Sequence, residues 1–108
     1  MEWSELFDAL RAHRNPDKAK MMSRYMRDQF EFLGIQTTER RQLSRPYLTQ
    51  AKAKLKELSK EKGDLFAKVD WAFVNLCWQA PEREFQILAT DYLKEVKAYL
   101  KPSDLSKL

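Results

Sequence analysis

Apolar side chains recur at helical spacing along most of this sequence, and few residues interrupt them. Only two glycines and four prolines occur among 108 residues. Apolar positions at i, i+3, i+4 and i+7 lie on one face of an α-helix, whereas a half-buried strand needs strict alternation. The sequence therefore predicts an all-α fold in which amphipathic helices bury their apolar faces against one another.

Two helices are predicted before the first glycine. The first covers about residues 3 to 13 and carries a stripe of four large apolar side chains: Trp3, Leu6, Phe7 and Leu10. Asn15 is suited to cap a second helix and Pro16 to occupy its first position. This second helix is predicted to end near Gln29.

A third helix is predicted after the chain break at Gly34, with Thr37 as its cap and Thr38 as its first residue. Pro46 lacks a backbone N–H, so we expect a bend or a short break there, with helix resuming toward Leu58. The polar segment 59–70 contains the second glycine and is predicted to be a loop.

Asp70 is placed to cap a helix over residues 71–79, and Pro81 to begin another that keeps its apolar pattern to Leu100. Pro102 announces one more helix, which the end of the sequence cuts within two turns. We therefore expect a single domain over residues 1–108 that is the N-terminal portion of a longer protein.

Two apolar groups are predicted to pack in the core. Trp71 and Trp78 lie seven residues apart and so share a helix face, next to a strip of Phe73, Leu76, Cys77 and Ala80. An apolar cluster around Gly34 is expected to fold inward and lock the second helix against the third: Phe30, Phe32, Leu33 and Ile35.

Positive charge is concentrated in one part of the chain. The net charge is +4, but residues 11–56 contain twelve Lys or Arg and four acids, 12 − 4 = +8. Such asymmetry favours a polyanionic partner. A basic face that serves only solubility remains an alternative, and Lys52, Lys54 and Lys56 alternate, so they spread around a helix.

Other classes of protein fit the composition poorly. The one cysteine, Cys77, cannot form an internal disulfide, and no cysteine or histidine pair has zinc-ligand spacing, so we expect a reducing compartment, no metal and no cofactor. No apolar run approaches the ~20 residues that span a bilayer. The acidic opening "MEWSELFDAL" is unlike a signal peptide, which favours a cytoplasmic location.

No catalytic constellation is visible in the pattern of titratable residues. Asp70 is best explained as a helix cap and Asp91 as an exposed helical residue. His13 suits the C-terminal end of a helix, and Cys77 suits core packing.

Three segments, in this order, resemble the AlkD-type DNA alkylation repair family: "NPDKA", "SRYMRDQFEFLGIQTTERRQL" and "PEREFQILATDYLKEVKAYL". The resemblance implies HEAT-like helical repeats that hold duplex DNA in a concave basic groove. It also implies a DNA glycosylase that removes N3- and N7-alkylated purines while the base stays stacked.

The resemblance assigns no catalytic residue to this sequence. The family carries its catalytic aspartate in a motif of the type W-W-D-x-V-D, after the helix that here starts at Ser103, and the sequence ends at Leu108. We therefore expect this chain to bind duplex DNA, and excision to require the motif beyond residue 108.

Tyr25 has two interpretations. Its position on the second helix's apolar side is typical of a core tyrosine with its hydroxyl at the rim. The resemblance implies instead that it lines the cleft beside the lesion, where an aromatic face would attract a cationic base.

The resemblance also implies a DNA-facing turn at the start of the third helix. Free backbone N–H groups and the helix dipole favour a phosphate there, and arginine adds bidentate contacts. The expected phosphate-binding residues are Gln36, Thr37, Thr38, Arg40 and Arg41.

Two other functions remain open. One is a helical-repeat module that binds another protein rather than DNA. The other is self-association through the apolar face of the last repeat, at the C-terminal end of the sequence.

Overall fold

A computed structural model describes residues 2–63, 67–102 and 104, and α-helices make up most of them. In chain order these are α1 (Trp3–Ala12), α2 (Pro16–Tyr25), α3 (Thr37–Lys62), α4 (Trp71–Gln79) and α5 (Arg83–Glu95), followed by a short 3-10 helix (Lys97–Tyr99). Strand pairing within these residues is limited to one isolated bridge between Glu31 and Glu82. The all-α prediction is confirmed.

The long helix α3 is the centre of the arrangement. It packs against both α1 and α5, and α5 in turn packs against α4. Aromatic side chains join these helices, because the Trp3 ring stacks on Phe73 with 3.7 Å between centroids and Tyr92 meets Phe73 edge-on. Helices packed side by side in this way form a helical-repeat fold.

Helix α2 is peripheral, and no residue of it is fully buried. Asn15 caps it as predicted, since its side-chain oxygen accepts from the backbone N–H of Lys18 at 3.1 Å. The predicted end near Gln29 is wrong. Arg27 and Asp28 adopt left-handed backbone conformations, with φ near +57° and +58°, and these end the helix after Tyr25.

Helix α3 is continuous through Pro46, so the chain has no break there. Proline at this position leaves the carbonyl of Gln42 without its intrahelical donor. Gln42 and Pro46 are both exposed, so water can satisfy that carbonyl. The opposite face buries Leu48 and Leu55 in the core, and this packing maintains the helix. Its cap is Gln36, and Thr37 is the first helical residue.

Helix α4 confirms the predicted cap, and of the two predicted core tryptophans it confirms Trp71, which is partly buried and packs against the core, but not Trp78. Asp70 accepts from the backbone N–H of Phe73 at 3.0 Å. Trp78 and Leu76 are each 53% exposed, and Trp71 is partly buried. The buried face is centred on Phe73, Val74 and Cys77, so both tryptophans lie about 100° or more around the helix from its centre.

The helix predicted from Pro81 to Leu100 is shorter than expected. It begins at Arg83, ends at Glu95 and gives way to the 3-10 helix. Helix α3 extends to Lys62, so the loop predicted over 59–70 begins at Gly63, and residues 64–66 of it lie outside the described residues. Most of the helix predicted from Pro102 also lies outside them.

The apolar loop around Gly34 is anchored to α5 by one carboxylate. Glu84, 1% exposed, accepts the backbone N–H groups of Leu33, Gly34 and Ile35 at 2.9, 3.0 and 3.2 Å. The side chains of Leu33 and Ile35 are buried, as expected, whereas those of Phe30 and Phe32 are only partly buried. The loop thus joins α2 and α3 to the first turn of α5.

Gly34 is also pressed against the start of α2. Its φ is +88°, and a Cβ atom added there would lie 2.0 Å from the backbone oxygen of Asn15 and 2.6 Å from the nitrogen of Ala19. Next to it, the N–H of Asn15 donates to the carbonyl of Leu33 at 2.7 Å. Only glycine fits this close backbone approach.

We predict that Gly34→Ala lowers the free energy of unfolding by about 3 kcal/mol or more, because it adds a backbone clash to left-handed strain. Gly63→Ala is the matched control, since Gly63 has a similar φ of +93° and nothing within 4 Å of an added Cβ. It should cost only the strain, about 1 to 2 kcal/mol. Urea unfolding of both variants measures the difference, and equal losses would contradict the clash.

We predict that Glu84→Gln destabilises the fold by about 3 kcal/mol, because an amide keeps one acceptor oxygen and turns its NH₂ toward backbone N–H donors. Exposed Glu57→Gln is the control and should change stability by less than about 0.5 kcal/mol. Hydrogen exchange at residues 33–35 should accelerate in Glu84→Gln alone. Unchanged protection there would show that the carboxylate does not hold the loop.

Candidate nucleic-acid interface

A groove between α3 and α5 collects basic side chains on the outside of the core. Its volume is about 460 Å³. This α3/α5 groove is lined by Arg41, Ser44, Arg45, Leu48, Thr49, Asp91, Lys94 and Glu95. Arg41 and Arg45 lie one turn apart on α3 and are exposed, and Lys94 faces them from α5. The groove therefore presents three cations beside two carboxylates.

A second concavity lies at the start of α3, where the chain passes α2. It has a volume of about 500 Å³. This α2/α3 cleft is lined by Lys18, Met21, Met22, Phe32, Ile35, Gln36, Thr37, Thr38, Arg40, Glu84 and Ile87. Gln36, Thr37 and Thr38 are exposed, and no side chain caps the helix. The first-turn N–H groups of α3 thus face a cleft that also contains lysine.

Arg40 lies between these two concavities and differs from its sequence-based expectation. We expected it to reach a phosphate in solvent, but it is 4% exposed. Its Nη2 donates to Asp91 Oδ2 at 3.1 Å, and its Nε is buried with no hydrogen-bond partner. The fourth helical position of α3 turns its side chain toward α5, so Arg40 helps to join the two helices.

Asp91 is likewise not the exposed residue that was predicted. Its side chain is 18% exposed and forms the ion pair with Arg40, while it also lines the α3/α5 groove. The pair therefore neutralises a carboxylate that would otherwise oppose an anion in the groove.

Two more ion pairs cross between the basic segment and the region of α5. Arg11 lies 3.7 Å from Glu82, and its guanidinium stacks over the Phe85 ring at 4.9 Å. Lys52 lies 4.0 Å from Glu95, with both side chains about half exposed. Ion pairs as exposed as the second contribute little to stability.

Tyr25 is 87% exposed at the end of α2, which excludes the core interpretation. Of the expected phosphate-binding residues, Gln36, Thr37 and Thr38 gather at the α2/α3 cleft, and Arg41 lies in the α3/α5 groove. Sequence reasoning missed Lys18, Arg45 and Lys94. Arg41 and Arg45 are four residues apart, a spacing that places them on one helix face, but nothing in the sequence shows that Lys94 lies opposite.

The candidate catalytic side chains all have structural contacts. Asp70 accepts both from the N–H of Phe73 and from Trp3 Nε1, at 3.0 Å each. His13 Nδ1 lies 2.8 Å from the carbonyl of Ala9 at the end of α1. Burial raises the pKa of the Cys77 thiol to about 12, so this cysteine is protonated and unreactive at neutral pH.

Two negative findings apply to the described part of the chain. No group of three or more His, Cys, Asp or Glu side chains is arranged to hold a metal ion. No helix there combines the length and apolar character needed to cross a membrane.

We predict that Asp91→Asn lowers the free energy of unfolding by about 2 to 3 kcal/mol, because it leaves the buried Arg40 guanidinium without its counter-charge. The matched control is Glu95→Gln, which removes a carboxylate from the exposed pair one turn along α5 and should cost less than about 1 kcal/mol. Chemical denaturation of both variants provides the comparison. A loss in Asp91→Asn no larger than that of the control would mean that the pair adds nothing to stability.

Comparison with known protein families identifies the family of this chain. The sequence model of the DNA alkylation repair enzyme family matches residues 6–108. A search of curated proteins found no match. Because the family match covers nearly all of the chain and agrees with its resemblance to AlkD-type proteins, the chain belongs to the DNA alkylation repair enzyme family.

Proposed function

We propose that this chain binds duplex DNA in alkylpurine repair of the glycosylase type, with the backbone phosphates held along α3. The observation that carries the proposal is the α3/α5 groove with its arginines on one helix face. Family membership supports DNA as the partner. Phosphate contacts supply most of the affinity of a protein that does not read base sequence.

Arg41 and Arg45 are the principal contacts in this proposal. Both are exposed, and residues four apart on a helix are neighbours. Guanidinium groups bind phosphate oxygens through two parallel hydrogen bonds. Lys94 adds a point charge from α5, and the hydroxyl of Thr49 adds a neutral donor.

The start of α3 extends the same contact. Gln36, Thr37 and Thr38 surround an uncapped helix N-terminus, where N–H groups and the dipole favour negative charge. Arg40 supports this site from behind rather than from solvent. Its charge is paired with that of Asp91, so Arg40 joins α3 to α5 at this site and adds no net charge to it.

Tyr25 is proposed to line the lesion cleft. Its ring is almost fully exposed on a helix that also carries Lys18, Lys20 and Arg24. N3- and N7-alkylated purines are cationic, and an aromatic face attracts such a cation. The exposed ring and the cations around it would thus face the lesion and its phosphates together.

We assign no catalytic residue among those that the structure describes. The chemistry expected for the family is stabilisation of oxocarbenium-like charge by a carboxylate. Asp70 and Asp91 serve instead as a helix cap and as the partner of a buried arginine. The part proposed for this chain is therefore to hold the duplex.

We predict that the chain binds an undamaged duplex in a salt-dependent manner and that the double variant Arg41→Gln/Arg45→Gln binds it more weakly. Loss of two phosphate contacts should flatten the plot of log K against log salt by about 1.8, from about 0.9 per phosphate. Fluorescence anisotropy at several salt concentrations measures the slope. The control is Lys60→Gln/Lys62→Gln, which removes two exposed cations of α3 that lie more than about 20 Å along the helix from Arg41.

The rival function is a module that binds another protein. It is favoured by the exposure of Leu76 and Trp78 on α4, since large apolar side chains at the surface are typical of protein contacts. If the two double variants give equal slopes of log K against log salt, or if duplex binding does not depend on salt concentration, the DNA proposal is contradicted and this module is favoured.

A further inference from the structure

We propose that the α2/α3 cleft is a separate binding site for the terminal phosphate of a nucleotide, a phosphomonoester. It shares Gln36, Thr37, Thr38 and Arg40 with the proposed DNA contact and to that extent rests on it, but all of its lining residues lie outside the α3/α5 groove. Neither the family assignment nor the groove accounts for its combination of an anion-binding end and an apolar wall.

The first argument is the helix N-terminus at the cleft. Helix α3 has 26 residues, its cap Gln36 is in extended conformation, and no side chain accepts from its first-turn N–H groups. A helix of this length carries partial positive charge at its start, and such an end binds phosphate oxygens through backbone donors.

The second, independent argument is the unused donor of Arg40. This side chain lines the cleft, is 4% exposed, and has an Nε without a partner. Burying a donor without an acceptor is unfavourable, and an oxygen bound in the cleft would relieve it after a small rotation of the guanidinium. Asp91 engages Nη2 of the guanidinium at 3.1 Å and leaves Nε without a partner.

Lys18 supplies the third donor, from α2. The helix N–H groups and Arg40 of α3 thus border one cleft together with Lys18 of α2. A phosphomonoester has three terminal oxygens for such a set, whereas a backbone diester has two. Glu84 also lines the cleft, but both of its oxygens already accept backbone N–H groups.

The remaining wall suits the nucleoside part of the ligand. Met21, Phe32 and Ile87 form an apolar side of the cleft, and Met21 is 71% exposed. Methionine and phenylalanine pack well against flat aromatic rings. A volume of about 500 Å³ leaves room for a base beside the phosphate.

The test titrates the chain with deoxyguanosine 5′-monophosphate, deoxyguanosine and inorganic phosphate, followed by NMR chemical shifts or calorimetry. We expect the nucleotide to bind at least about tenfold more tightly than the nucleoside, and Lys18→Gln to weaken it at least about fivefold. Lys20→Gln is the matched control, because Lys20 is an exposed lysine of the same helix that does not line this cleft. Shifts should occur at residues 36–38.

Two comparisons make the result decisive. The proposal is contradicted if the nucleotide and the nucleoside bind with equal affinity. It is also contradicted if Lys18→Gln and Lys20→Gln weaken nucleotide binding equally. Arg41→Gln/Arg45→Gln should keep nucleotide binding even where it weakens duplex binding, so failure of the groove and failure of the cleft are separate outcomes. If the site is supported, competition with a duplex identifies the source of the phosphomonoester.

A duplex with a 5′-phosphate that displaces the nucleotide, where a duplex with a 5′-hydroxyl does not, indicates that the ligand is a strand end. If neither duplex displaces the nucleotide, the ligand is a free nucleotide.

Discussion

The carboxylate of Glu84 is the contact on which the arrangement of the basic helices depends. A single buried side chain accepts three successive backbone N–H groups of the loop between α2 and α3. Without it, those N–H groups would be buried without hydrogen-bond partners. The free-energy cost would work against the stabilisation gained by burying Leu33 and Ile35. The loop is therefore docked on α5 at the same time as Gly34 docks it on α2. This double docking sets where α3 begins, and hence where its N-terminal donors point.

Arg40 and Asp91 perform the corresponding task between α3 and α5. Their ion pair forms the partition between the α2/α3 cleft and the α3/α5 groove, since one partner lines each concavity. The sequence predicts that Arg40 binds phosphate at the surface, but its buried side chain instead fixes α3 against α5 and so separates the two concavities. Neighbouring Arg41, one residue later and about 100° around the helix, is the one that reaches solvent.

The helices were largely predictable because their apolar spacing and two of their caps are local signals. Asn15 and Asp70 cap the helices expected of them. Two errors have different causes. Distant packing of Leu48 and Leu55 keeps α3 intact across Pro46, whereas α2 ends early because two non-glycine residues adopt left-handed backbone conformations after Tyr25. The candidate interface was predictable only in part. The helix start and Arg41 follow from sequence, whereas the burial of Arg40 and the position of Lys94 depend on how α5 packs.

The three ion pairs have a consequence for the reach of the protein's electric field. Each joins a cation of residues 11–56 to an acid between Glu82 and Glu95. The excess of +8 counted along that segment therefore falls to 8 − 3 = +5 once the described pairs are included. The fold partly shields its own basic segment, and at a Debye length of about 8 Å the remaining cations act over a short range. An approaching polyanion is thus drawn to particular unpaired side chains rather than to a uniformly positive surface.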